Sequence, residues 1–205
     1  MYSPAFYREQ RPEFIEQLIK EFNFATILTN NKTDFVSHLP LLLSKDDNGN
    51  YELITHCARA NPHWKELKDI GEAKVIFNGP HGYISPAWYT PAKDNVPTWN
   101  YAVVHGVGNV EIIEEPTVAF ELMDQLVNAF EKDNKTDWQL PQNERAITEL
   151  MKNIVVFKIK DINFTAKFKL SQKQAATNRE NVIAELQKKE ADSILASYMK
   201  KTRPI

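Results

Sequence analysis

Cysteine is almost missing from this chain. One residue, Cys57, carries a thiol, which excludes an internal disulfide framework and any thiolate metal cluster. It sits in an apolar, strand-like run, where a buried structural thiol is the ordinary outcome and a nucleophile the exception. Long apolar runs are missing too. The stretch Leu39 to Leu43 is among the longest and falls far short of the ~18 residues that span a bilayer. The N-terminus, MYSPAFYREQRPEF, has neither the basic start nor the apolar centre of a signal peptide. A cytoplasmic protein without a membrane partner is the expectation.

Several catalytic signatures are also absent. There is no GxGxxG, no GxxxxGKS or GxxxxGKT, and no repeated βαβ alternation, which argues against a Rossmann or P-loop domain. No GxSxG marks an activated serine. Five histidines, His38, His56, His63, His81 and His105, are spread without HExxH or HxH spacing and without clustered carboxylates, so no metal site is expected.

What is present is an ordinary globular composition, 42% hydrophobic and 25% charged, enough for one folded domain or one domain with a helical appendage. The net charge of −2 hides an asymmetry. From Lys158 onward there are eleven Lys and Arg against five Asp and Glu, so a basic C-terminal end follows an acidic body. Such an end can meet nucleic acid phosphates through Lys169, Lys173, Arg179, Lys188, Lys189, Lys200, Lys201 and Arg203, or be the solvated face of ordinary helices.

Arg11 to Phe22 places Phe14, Ile15, Leu18, Ile19 and Phe22 at helical spacing. Phe24 to Asn30 reads as a strand, Phe35 to Leu43 as its hairpin return, and Tyr51 to Cys57 as a third strand after the DDNG turn, together an antiparallel meander. Ala73 to Gly79 is a fourth strand. The following loop, studded with Tyr83, Trp88, Tyr89, Trp99 and Tyr101, should cover a core, a flat ligand or a second subunit. Tyr101 to Ile113 returns to a strand pattern, with Gly106 and Gly108 marking a bulge or a close backbone approach. A helix opens at Glu115-Pro116-Thr117, a second runs over residues 142–152, and Ile154 to Leu170 alternates as one long strand bent near Asp161. Residues 174–201 read as two helices meeting near Glu190. Six antiparallel strands with helices at both ends predict a small closed or half-closed barrel.

The stretch ITHCARANPHW, Ile54 to Trp64, ends a strand in a cluster of polar groups just before a helical patch. An arginine, an amide and a helix N-terminus in one turn can donate to an anionic group such as a phosphate; the alternative is a solvated loop with one salt-bridged arginine. A flat, anionic cofactor such as FMN needs such a donor set for its phosphate and aromatic walls for its ring. The loop from Tyr83 to Tyr101 could supply the walls.

The strings MYSPAFY, SHLPLLL, HCARANPHW, GPHGYISPAWY, VPTWNYAVVHGVG and FKLSQ occur in this order over nearly the whole chain. Together they resemble the PaiB-like family of FMN-binding negative transcriptional regulators. The resemblance implies a mainly β, six-stranded Greek-key split barrel related to pyridoxamine 5'-phosphate oxidase, over residues 1–173, with a C-terminal helical segment, 174–205, packed on the barrel or on a dimer partner. It implies a homodimer with flavin at the subunit interface, and repression of sporulation and degradative-enzyme genes in the best-known member. Carried onto this chain, His56, Cys57, Ala58, Arg59 and Asn61 are placed at the cofactor, Arg59 and Asn61 at its phosphate. Trp99, Asn100 and Tyr101 go to the ring or its interface wall. One departure stands at Lys173, where the family ending is FKLSQN-like; a cation there would alter a helix cap if the position is one. An FMN-dependent oxidoreductase acting on a small substrate is the alternative reading. A haem-binding relative, with His56, His63, His81 or His105 as axial ligand, is the third.

Overall fold

Alternating apolar and polar residues make the strands of this protein, and a proline decides where one of them stops. The computed structural model describes residues 1–30, 35–141 and 145–202. Its strands are β1 (Arg8–Glu9), β2 (Phe24–Leu28), β3 (Val36–Pro40), β4 (Leu42–Lys45), β5 (Tyr51–Ala58), β6 (Glu72–Ile84), β7 (Thr98–Ile112) and β8 (Ile154–Lys169). Its helices are α1 (Pro12–Glu21), α2 (His63–Ile70), α3 (Pro116–Asn134), α4 (Arg145–Met151), α5 (Ala176–Lys189) and α6 (Ile194–Lys201). The start of the expected helix over residues 142–152 lies outside the described residues.

The antiparallel sheet has the order β3-β2-β6-β7-β8-β5-β4, with β1 also paired to β8. Eight strands therefore replace the six expected. The run Phe35 to Leu43 is two strands, because Pro40 has no ladder donor and Leu41 turns its N–H to the carbonyl of Asn23 at 2.9 Å while burying its side chain. The expected meander breaks at the same point: β3 pairs with β2, β4 pairs with β5, and β3 and β4 stand at opposite ends of the strand order. The two-residue β1 is too short to show a pattern in sequence.

The chain forms two compact units, one from residues 1–21, 78–104 and 165–205, the other from 22–77 and 105–164, so β6, β7 and β8 each run through both.

In the unit of residues 22–77 and 105–164, β5 lies on β8 in register from Leu53 opposite Ile159 to Ala58 opposite Ile154. Ile27, Leu53, Val75, Phe77, Phe157 and Ile159 form its fully buried interior. The hydroxyl of Thr55 on β5 donates to the Pro40 carbonyl of β3 at 2.7 Å, so the sheet curls in this unit. The Glu115 carboxylate opens α3 by accepting from the N–H groups of Thr117 and Val118, and the helix lays Ala119, Leu122 and Met123 against Ile54 and Val156. The bend anticipated near Asp161 is present, that residue having φ +52°. At Gly108 an added Cβ would lie 2.5 Å from the Lys160 carbonyl oxygen, the close approach its sequence position implied.

In the other unit, α1 buries Leu18 and Ile19, the middle of its apolar stripe. The expected pair of C-terminal helices is present as α5 and α6. Arg179 of α5, only 5% exposed, donates from Nη1 to Leu170 O at 2.8 Å and from Nη2 to the carbonyls of Met199 and Thr202. One side chain thus binds the end of β8, α5 and the end of α6. The residue before α5 is Ala175, which makes no side-chain cap. Lys173 instead sets its ammonium 3.5 Å from the centre of the Phe6 ring, so its cation faces an aromatic residue of the N-terminal string and caps nothing.

Candidate functional site

Three residues at the β5–α2 corner hold one another. The amide oxygen of Asn61 accepts from the His63 N–H at 3.0 Å, and its Nδ2 donates to Ser37 Oγ at 3.1 Å. That hydroxyl lies 2.8 Å from His63 Nδ1. His63 is 1% exposed, and the ring of Phe35 stacks on it at 6.0 Å between centroids. Burial holds its imidazole below the usual histidine range, partly offset by the negative charge of Glu66. Asn61 thus sets the start of α2, and both ends of its amide already have protein partners.

Arg59 stands at the same corner with its guanidinium turned along the chain. Nε donates to Lys152 O and Nη2 to Ile154 O, both at 2.7 Å, and the Arg59 N–H reaches Asn153 O at 2.8 Å. Main-chain carbonyls hold this arginine, where the solvated-loop alternative had a carboxylate. The two side-chain bonds use two of its five N–H donors. Trp64 returns Nε1–H to Arg59 O at 3.0 Å, fixing the turn. On β5 itself, His56 is half-buried with Nδ1 lacking a partner among the described residues, and burial lowers its pKa. Cys57 points inward, and burial pushes its thiol up to about 11, against the opposing pull of Arg59's charge. Ala58 is exposed.

The remaining three expected residues lie on β7 in the other unit. Period-two alternation puts Trp99 and Tyr101 on one face and Asn100 on the other. Asn100 is 1% exposed and exchanges hydrogen bonds with the Ser171 hydroxyl at 2.9 and 3.2 Å, so its amide braces the interior. Trp99, 48% exposed, stacks on His81 of β6 at 5.9 Å and meets the edge of Tyr83 at 6.3 Å. The Lys167 ammonium sits 5.3 Å from the centre of the Tyr101 ring. Two residues along β8, Lys169 donates to Thr98 Oγ1 and to Trp99 O, its pKa lowered by burial and then by Lys167. An exposed aromatic surface with two ammonium groups beside it results.

Behind this edge, a cavity of about 250 Å³ is lined by Tyr7, Tyr89, Thr98, Asn100, Lys169 and Lys173. These residues come from four separate strings, MYSPAFY, GPHGYISPAWY, VPTWNYAVVHGVG and FKLSQ with the lysine after it. Sequence reasoning passed over Ser37 and His63 as partners of Asn61, and Lys167 and Lys169 as cations beside aromatic residues. Ser37 was visible inside SHLPLLL and Lys169 inside FKLSQ, but their partners lie 24 residues or more away along the chain.

The basic C-terminal residues divide by burial. Arg179 is spent on carbonyls inside its unit and presents no charge to a phosphate. Lys188 pairs with Glu185, and Lys189 lies over the Trp88 ring at 4.7 Å. Arg203 lies outside the described residues.

The family described as "Putative FMN-binding domain" matches residues 1–161. The chain is 37% identical over 193 residues to "Protease synthase and sporulation protein PAI 2" of Bacillus subtilis, covering 93% of this chain and 91% of that protein. Among solved structures, the FAD and heme binding protein of Mycobacterium smegmatis superposes with a TM-score of 0.60 at 15% identity, covering 87% of this chain and 80% of that one. The flavocytochrome Anf3 of Azotobacter vinelandii gives 0.59 at 14%, covering 80% and 69%. These distant likenesses establish the split-barrel fold. No described helix is long and apolar enough to cross a membrane. With the family model matching residues 1–161 and 37% identity over 93% of its length, the chain belongs to the FMN-binding, PaiB-like family.

Proposed function

We propose that this protein is an FMN-binding transcriptional regulator of the PaiB kind, acting as a homodimer. The observation that carries the reading is the 37% identity, over 93% of the chain, to a protein named for protease synthesis and sporulation. FMN brings reversible electron acceptance wherever it binds, so no catalytic side chain is required. At the β5–α2 corner we assign the phosphate to Arg59, whose guanidinium is pre-set by two carbonyls and keeps further N–H donors. Asn61 supports that corner by holding Ser37 and the start of α2. The exposed Trp99 and Tyr83 surface is the proposed dimer face, since an apolar patch of this kind seeks cover. Contact with DNA is proposed through the exposed lysines of α5 and α6, Lys200 and Lys201 among them.

A second reading is an FMN-dependent oxidoreductase. The Lys167 ammonium beside the Tyr101 ring favours it, because positive charge next to a flavin stabilises its reduced anion. Titration of the protein with FMN, read by flavin fluorescence, should saturate at one flavin per chain. Gel filtration should then give a dimer. Rapid anaerobic bleaching by reduced nicotinamide cofactor would move the assignment to the oxidoreductase. Stable oxidised flavin, together with a gel shift of promoter DNA, supports the regulator.

A further inference from the structure

In the unit of residues 22–77 and 105–164, a cleft of about 730 Å³ opens between α3, α4 and the start of β8. Its volume lies in the range of small-molecule sites. The floor is apolar, made by Ile113, Phe120, Met151, Ile154 and Val156, most of them only partly buried. Beneath lies the packed cluster of Ile54, Ala119, Leu122 and Met123.

Apart from Glu114, which is paired with Lys68 at 2.5 Å, the charged lining is divided between two walls. Glu121 and Asp124 stand three residues apart on α3 and so share one side of that helix. Arg59 and Lys152 stand on the other wall. These opposite charges do not neutralise each other. Lys152 pairs with Glu149 at 2.7 Å outside the lining, Arg59 is fixed on the carbonyls of Lys152 and Ile154, and Asp124 accepts from Asn128. Among the described residues no cation pairs with Glu121 or Asp124. An apolar floor between a carboxylate wall and a cationic wall matches a molecule with an ammonium at one end, a carboxylate at the other and an apolar body between. A purely anionic ligand would meet two carboxylates, and a purely cationic one would meet Arg59 and Lys152.

We infer that this cleft binds a zwitterion with an apolar body, of the class of apolar dipeptides. It is a second small-molecule site, adjoining the proposed phosphate corner at Arg59. Arg59 borders both the proposed phosphate corner and the cleft, so the test leaves it unchanged.

The probe is the dipeptide Leu-Phe, titrated calorimetrically against the full chain into the millimolar range. One site per chain is expected. Binding should weaken at least tenfold for N-acetyl-Leu-Phe, for Leu-Phe amide, and for the Glu121→Gln/Asp124→Asn double variant, while FMN titration of that variant is unchanged. Absence of any heat of binding overturns the inference. So does equal binding by the blocked peptides or by the double variant. Should circular dichroism show the double variant unfolded, Lys152→Met removes a charge from the other wall: weakened binding supports the site, and undiminished binding overturns it. Failure here leaves the FMN reading standing, and failure of FMN to bind leaves this site standing.

Discussion

Arg59 donates from Nε to the main-chain oxygen of Lys152 at 2.7 Å, across 93 residues of sequence. The bond, with its neighbour to Ile154 O, ties the end of β5 to the junction between α4 and β8. Arg59 is therefore both a structural strap and the assigned phosphate donor, and the two roles are separable. Arg59→Ala should lower FMN affinity by about 1.5–3 kcal/mol, the scale of a charge-assisted hydrogen bond, and also lower the melting temperature without FMN. Arg59→Lys keeps a charge but loses the planar fork, so it should recover part of the FMN affinity and little of the stability. Unchanged affinity in a folded Arg59→Ala protein would move the phosphate elsewhere.

Gly108 is required by space. A Cβ there would lie 2.5 Å from Lys160 O and 2.9 Å from side-chain carbons of Ile159 and Ile162. A backbone oxygen cannot rotate away, so Gly108→Ala should destabilise by about 1–3 kcal/mol, measured as a shift in the urea midpoint. Gly49, with φ +82° and nothing within 4 Å of its Cβ position, makes an instructive contrast. There alanine costs backbone strain without a clash.

Arg179 holds three carbonyls inside its unit. Arg179→Met should cost about 3 kcal/mol or more, because buried acceptors lose their partner at about 1–3 kcal/mol each. The loss should appear as early protease cleavage around α5 and α6, ahead of the rest of the chain. Simultaneous loss of all structure would mean that the clasp holds more than the C-terminal helices.

His63 links stability to pH. Its folded pKa lies below the ordinary histidine value of 6.5 because burial disfavours the imidazolium. The unfolded chain therefore binds the proton more readily, and stability falls as pH drops from 6.5 through the folded pKa. His56 and His105 are shifted the same way by burial. Thermal melts from pH 8 down to pH 5 should show declining stability in the wild type. The slope should be shallower in His63→Gln, which keeps a hydrogen-bonding amide in place of the ring and cannot titrate. An unchanged slope would remove His63 from the account.

The fold class, the long C-terminal strand with its bend, the helix opening at Pro116 and the paired C-terminal helices were legible in the amino-acid sequence. Each is announced by local chemistry: alternation in Ile154 to Leu170, apolar spacing after Glu115-Pro116, and a charge-rich break at Glu190. The strings that resemble the PaiB-like family carried the cofactor in the same way, in agreement with the family match over residues 1–161. The division of Phe35 to Leu43 between β3 and β4 was not legible, because it depends on Leu41 finding the Asn23 carbonyl. Nor was the inward turn of Asn100, whose side is set by strand register against a buried Ser171. Arg179 shows the limit most plainly. Sequence counts it as one more positive charge in a basic tail; the tertiary structure surrounds it with three carbonyls and withdraws it from solvent. Charge and periodicity are properties of the chain, whereas which groups face each other is decided when distant segments close around a common interior.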